Sequence, residues 1–248
     1  MFRPRVALAS LSGEANADWA RAVADYVGCA FLGGIALDGP TREAARAMTD
    51  RDRSEFLPDD PIAFVDGQLD ELDDTPLRAA FNVRSVALAP IEAVADVCHT
   101  HGTVLELNAH CRQDEMCAAG TGETLLREPD RLARQVRTAA DTGAAVSVKV
   151  RAEVPDVDLP ALARRLEAVG ADAIHVDAMD SESVVGDIAD TTDLFVVANN
   201  GVRGAGTARE YFAYGADAVS VGRASDDRDV LAAVRGAADD WVAREAIR

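Results

Sequence analysis

Short apolar runs alternate with amphipathic stretches along the whole chain. Eight runs read as strands: Arg5–Ser10, Ala30–Gly33, Ala79–Arg84, Val104–Asn108, Ala145–Arg151, Ala173–Asp177, Leu194–Ala198 and Ala218–Val221. Most are continuously apolar, the pattern of parallel strands covered on both faces. Helical periodicity fills the intervals, over Asn16–Val27, Pro90–Cys98, Pro129–Thr142, Leu159–Val169, Ser183–Ala189 and Thr207–Tyr214. Asp158 and Thr207 read as N-caps, and Gly170 and Gly215 as stop signals. The tetrapeptide Gly-Ala-Asp-Ala begins at Gly170 and again at Gly215, each time between a helix and a strand. Strict alternation of eight strands with helices predicts an α/β fold, a (β/α)8 TIM barrel, rather than an open doubly wound sheet. Met48–Asp74 is irregular and acidic and reads as an insertion after the second strand, with room for a short helix. No linker or shift in composition divides the chain, so a single domain over 1–248 is expected.

Composition narrows the setting. The chain is 48% hydrophobic, enough for a large core, and no apolar run is long enough to span a bilayer. A cytoplasmic protein is expected. Acidic residues number 43 against 25 basic, a net charge of −18. Such a surface suits a high-salt, halophilic cytoplasm, where carboxylates hold water and salt screens their repulsion. It also excludes nucleic-acid recognition through a broad basic face. Cys29, Cys98, Cys111 and Cys117 form no CxxC pair and no ligand-spaced set. Neither a disulfide framework nor a metal site is expected.

Chemistry-bearing residues gather just after the strands, where barrels place their active sites. Ser10 follows the first strand, Asn108, His110 and Cys111 the fourth, Asn199, Asn200 and Gly201 the seventh, and Gly222 and Arg223 the eighth. Lys149 and Arg151 end the fifth strand, and His175 and Asp177 the sixth. Lys149 is the one lysine of the chain; every other basic position is arginine. Lysine is a compact point charge whose pKa moves readily, so its use on one strand end points to a site that needs a small cation. Glycines after the last two strands suit a phosphate approached by backbone N–H groups. Cys111 is placed to exchange a proton with a substrate. His99 and His101 close a helix, and Cys117 reads as structural.

Five segments in order resemble the dihydrouridine synthase family of FMN-binding TIM barrels. They are Leu105–Cys111 followed by Gly122–Leu126, Ser147–Arg151, Ile174–Val176, Val197–Gly201 and Val221–Ala224, within a resemblance that runs from about Val6 to Ser225. The pattern is most similar to a shorter archaeal group of barrel proteins. The resemblance implies a flavin-dependent oxidoreductase of tRNA processing, which reduces the C5–C6 double bond of uridine with hydride from reduced FMN. NAD(P)H is the implied reductant. It implies that Ser10, Asn82, Lys149, His175, Asn200, Gly201, Gly222 and Arg223 bind the cofactor. Lys149 would lie near the flavin's pyrimidine edge, and Asn82 stands where the family has Gln. Asn108 and Arg151 would meet the substrate, and Cys111 would donate the proton to C5.

The sequence also departs from that pattern. Arg112 replaces a proline after Cys111 and His110 replaces a glycine, and only one helix, Asp229–Arg248, follows the last strand, so the family's C-terminal helical tRNA-binding domain is not expected. A docking partner or a homo-oligomer would then supply that surface. Two alternatives stay open. One is a small-molecule pyrimidine oxidoreductase of dihydroorotate dehydrogenase type, whose strand-three Asn is similar to Asn82. The other is a non-catalytic flavin- or nucleotide-binding barrel.

Overall fold

The structure is a computed structural model in which residues 1–245 are described. Eight parallel strands close into one barrel in sequence order: β1 (Val6–Leu8), β2 (Cys29–Ala36), β3 (Arg78–Arg84), β4 (Val104–Asn108), β5 (Ala145–Arg151), β6 (Ala173–Asp177), β7 (Phe195–Asn199) and β8 (Ala218–Val221). β1 pairs with both β2 and β8, which completes the ring. The helices α1 (Ala17–Arg21), α2 (Gly39–Thr49), α3 (Pro61–Asp70), α4 (Leu88–Thr100), α5 (Asp114–Ala118), α6 (Pro129–Ala140), α7 (Leu159–Glu167), α8 (Val184–Ala189), α9 (Ala205–Ala213) and α10 (Arg228–Glu245) alternate with the strands, and a 3-10 turn spans Gly122–Arg127. No helix among the described residues is long and apolar enough to cross a membrane.

The repeated Gly-Ala-Asp-Ala has a physical basis. Gly170 and Gly215 take φ of +104° and +98°, which turns the chain out of its helix at no side-chain cost. The aspartate that follows reaches across to the neighbouring strand. Asp172 Oδ2 accepts the Val146 N–H at 2.8 Å, and Asp217 Oδ2 accepts the Val196 N–H at 2.9 Å. Each repeat therefore fixes both a turn and the register of an adjacent strand.

Several boundaries differ from the sequence expectation. β2 runs on to Ala36, with its register shifted between Gly33 and Ile35. A Cβ on Gly34 would lie 2.5 Å from Asn82 Oδ1, so glycine there is what admits that side chain. The predicted helix 16–27 is regular only over Ala17–Arg21, with turns after it. Thr207 is not the N-cap of α9. Gly204 holds that position, and Thr207, three residues in, accepts the Arg203 N–H through its hydroxyl at 3.1 Å. Asp158 does cap α7, accepting the Ala161 N–H at 2.9 Å. The acidic stretch 48–74 contains α3, introduced by its own cap Asp60. The segment before α3 is tied to the barrel by a buried ion pair, Arg84 to Glu55 at 2.5 Å. Arg84 also donates to the Gly34 carbonyl at 2.6 Å.

Candidate active site

Two contiguous cavities open at the C-terminal ends of the strands. The smaller, about 220 Å³, is lined by Ser10, Lys149, Asn200, Gly201, Gly222 and Arg223, together with His110 and Asp177. The larger, about 680 Å³, carries Cys111, Arg112 and Arg151 and shares Ser10, His110, Asp177, Asn200 and Arg223 with the first. Segment 52–55, from the stretch read as an insertion, forms one wall of the larger cavity.

Beneath them lies a closed hydrogen-bonded floor. Strand alternation turns Asn82, Glu106, Ser147, His175 and Ser220 into the barrel, and all five are fully buried. Glu106 is the hub. It accepts from Asn82 Nδ2 at 2.7 Å and lies 2.8 Å from His175 Nδ1 and 3.4 Å from the Ser147 hydroxyl. His175 Nε2 meets Ser220 Oγ at 2.7 Å, and Asn199 donates to that hydroxyl at 2.8 Å. Asn108 Nδ2 donates to Asn82 Oδ1 at 2.9 Å. Burial opposes ionisation of Glu106, but His175, Lys149 and Asn82 together outweigh it and hold its carboxyl below the usual range. Burial likewise lowers the His175 pKa, against the pull of Glu106. The two groups thus oppose burial for one another: the Glu106 carboxylate favours a charged imidazole at His175, and burial disfavours it.

The floor carries the loop that bears the thiol. Asn108 Oδ1 accepts the N–H groups of His110 at 3.2 Å and Cys111 at 3.0 Å. The Cys111 carbonyl accepts the Glu123 N–H at 2.8 Å, and a Cβ on Gly122 would stand 2.2 Å from that oxygen. Glycine at 122, with φ of +63°, is what lets the two strands of this loop meet. Glu123 in turn binds Arg151 at 2.5 Å.

Above the floor the polar groups are not paired off. Lys149 is 2% exposed, and its ammonium has no hydrogen-bond partner among the described residues. Burial lowers its pKa, opposed by Glu106 and Asp177. His110 Nδ1 and Asp177 Oδ1 are buried without partners, and His110 Nε2 stands 3.8 Å from Asp177 Oδ2, beyond hydrogen-bond reach. Burial, with Lys149 and His175 nearby, lowers the His110 pKa well below its ordinary value. At the far end of the smaller cavity, Asn200 takes φ of +90°, a conformation asparagine tolerates better than most residues. The Tyr211 hydroxyl donates to its carbonyl at 2.9 Å. A Cβ on Gly201 or Gly222 would meet nothing within 4 Å, so both glycines border open space. Arg203 and Arg223 complete that end, and α9 begins directly after it with no side chain on its first N–H groups.

Of the residues singled out from sequence, Ser10, Cys111, Lys149, Arg151, Asn200, Gly201, Gly222 and Arg223 meet at these cavities. Asn82, Asn108 and His175 lie in the floor instead, their side chains bonded to one another or to Glu106, Ser220 and the Cys111 loop. Sequence reasoning missed Glu106 and Ser220 and assigned no role to His110 or Asp177. Glu106 had a signal, a lone carboxylate between leucines in the middle of an apolar strand.

Comparisons with known proteins agree with this architecture. Residues 71–242, more than two thirds of the chain, match the family model of dihydrouridine synthase. An uncharacterized protein of Methanocaldococcus jannaschii is 26% identical over 232 residues, covering 88% of each chain. Among solved structures, a FabK variant from Thermotoga maritima superposes with a TM-score of 0.60 at 16% identity. That match covers 90% of this chain and 63% of the FabK chain. 3-Hexulose-6-phosphate synthase from Salmonella typhimurium gives 0.60 at 15% identity, covering 96% and 99%. At such identities the two structures speak to the fold alone.

Proposed function

The chain belongs to the dihydrouridine synthase family, and on that premise we propose that it is an FMN-dependent oxidoreductase that reduces the C5–C6 double bond of uridine in tRNA, with NAD(P)H as reductant. The observation that carries the reading is Lys149, a residue 2% exposed whose ammonium has no hydrogen-bond partner among the described residues, at the base of a cavity whose other end is lined by Gly201, Gly222, Arg203 and Arg223. An unpaired buried cation is costly, so its place is explained by an anionic or electron-rich ligand group. The glycines and arginines fit a phosphate.

The residues therefore fit FMN. Ser10, Asn200, Gly201, Gly222 and Arg223 would hold its ribityl phosphate end and Lys149 its ring, with Asn82 and His175 supporting Lys149 from below through Glu106. When bound, the flavin supplies the hydride. The protein's own part is positioning and proton supply. Lys149 stabilises negative charge that develops beside it. The Cys111 thiol donates a proton to C5 of the uracil ring, and its loop is held in place by Asn108. Arg151, fixed by Glu123, faces the substrate. Segment 52–55, one wall of the larger cavity, would limit the access of water to the transfer.

The first test is the visible absorption spectrum of the purified protein, followed by nucleoside analysis of tRNA incubated with it and NAD(P)H. Flavin bands and dihydrouridine formation are expected. A protein that stays colourless after FMN addition would refute the cofactor. A second reading, a small-molecule pyrimidine reductase, is favoured by the net charge of −18, which repels a polyanion. Turnover of dihydroorotate with an electron acceptor, and none on tRNA, would select it.

A further inference from the structure

Lys149 and Arg151 stand two residues apart on β5 and so share its inner face. Asp177 on β6 pairs in register with Arg151. Lys149 and Asp177 line the smaller cavity, and Arg151 and Asp177 the larger. Asp177 Oδ1 is the one carboxylate oxygen among the described residues that is buried without a hydrogen-bond partner. Leaving it so is costly to the free protein, and a ligand donating N–H or O–H recovers that cost. Its cationic neighbours limit the ligand further. A carboxylate flanked by two cations is the complement of a planar edge in which one N–H lies between two carbonyls.

We propose that Asp177, flanked by Lys149 and Arg151, is the specificity-determining residue of this site and reads an imide edge, Oδ1 accepting the imide N–H while the two cations face its carbonyl oxygens. Asn82 and His175 are not free for this task, because their polar atoms are engaged in the floor. The flavin ring system and the uracil base both carry such an edge. The inference rests on the proposed function for these two candidate ligands, and the experiment separates them.

Wild type, Asp177→Ala and Asp177→Asn are titrated with FMN and N3-methyl-FMN by fluorescence, and with uridine and 3-methyluridine by calorimetry. Methylation removes the imide N–H. Wild type is expected to prefer the unmethylated member of one pair by about tenfold or more, the difference expected of a hydrogen bond to a charged acceptor. Asp177→Ala brings that ratio to near one, and Asp177→Asn, which keeps an acceptor oxygen, retains part of it. A preference in the flavin pair places Asp177 against the cofactor; one in the uridine pair places it against the substrate. No preference in either pair, or one that survives Asp177→Ala, overturns the proposal. FMN binding without discrimination in either pair leaves the proposed function standing and removes the imide reader. Discrimination between uridines in a protein that never binds FMN does the reverse. Thermal melts show whether the variants fold, which is expected since Asp177 Oδ1 holds no partner in the free protein.

Discussion

The barrel interior divides into two layers of opposite character. In the floor, Glu106, His175, Ser220, Asn82 and Asn108 spend their hydrogen bonds on one another. In the mouth, Lys149, in register with Asn108 and His175, keeps its ammonium unspent, as His110 and Asp177 beyond it keep polar atoms unspent. A satisfied buried network rigidifies and positions; an unsatisfied one is costly until something binds. The difference supports the proposed function, in which the first layer does structural work and the second meets the ligands.

That division can be broken most severely at Glu106. Glu106→Ala strands His175 and Asn82, and a denaturant melt is expected to lose about 3–5 kcal/mol, as when one partner of a buried pair is removed. A near-neutral result would mean that the floor is not what holds the barrel. Lys149→Met should do the opposite. Stability changes little, because the burial penalty of the ammonium goes together with its attraction to Glu106 and Asp177, while the reduction rate falls by about 10²–10³. Equal loss of stability and rate would erase the distinction between layers. Cys111→Ala should lower the rate by about 10²-fold at the weaker end of general-acid effects, with flavin affinity and melting temperature unchanged.

The smallest effect is on pH. Burial is the main cause that holds the folded pKa values of His110 and His175 below the ordinary imidazole value of about 6.5. The unfolded chain therefore takes up protons first, and stability drains away as pH falls below about 6.5 toward the folded values. His101, whose pKa is raised by its bond to Asp66, acts in the other direction: its contribution is complete below 6.5 and is lost as pH rises through its folded value. His110→Asn should flatten the acid limb of a stability–pH curve and leave the alkaline limb as it was. An unchanged acid limb would show that the mouth histidine is not neutral in the folded protein.

Much of this organisation was legible in the sequence. Eight apolar runs located eight strands, because strands covered on both faces announce themselves without alternation. Lys149 stood out by composition alone, and the glycine-bearing turns after β7 and β8 located one end of the cavity. The layering was not legible. Whether Asn82 or His175 faces a ligand or a neighbour depends on Glu106, a strand away and far along the chain. The Arg84–Glu55 pair joins a strand to a stretch without periodicity, and only the folded chain brings them together. Thr207 misled because capping residues mark a helix start to within a turn, and here a glycine took the first place.

The stacking of Lys149 above Glu106 has an electrical consequence. Glu106 pairs in register with Ser147, and Lys149 lies two residues nearer the mouth on the same strand. A positive charge over a negative one, both held inside the barrel, makes the barrel axis a fixed dipole whose field points out of the mouth. A nitrile or carbonyl reporter held there would show a Stark-shifted vibration, and replacing either charge would move the band in a known sense.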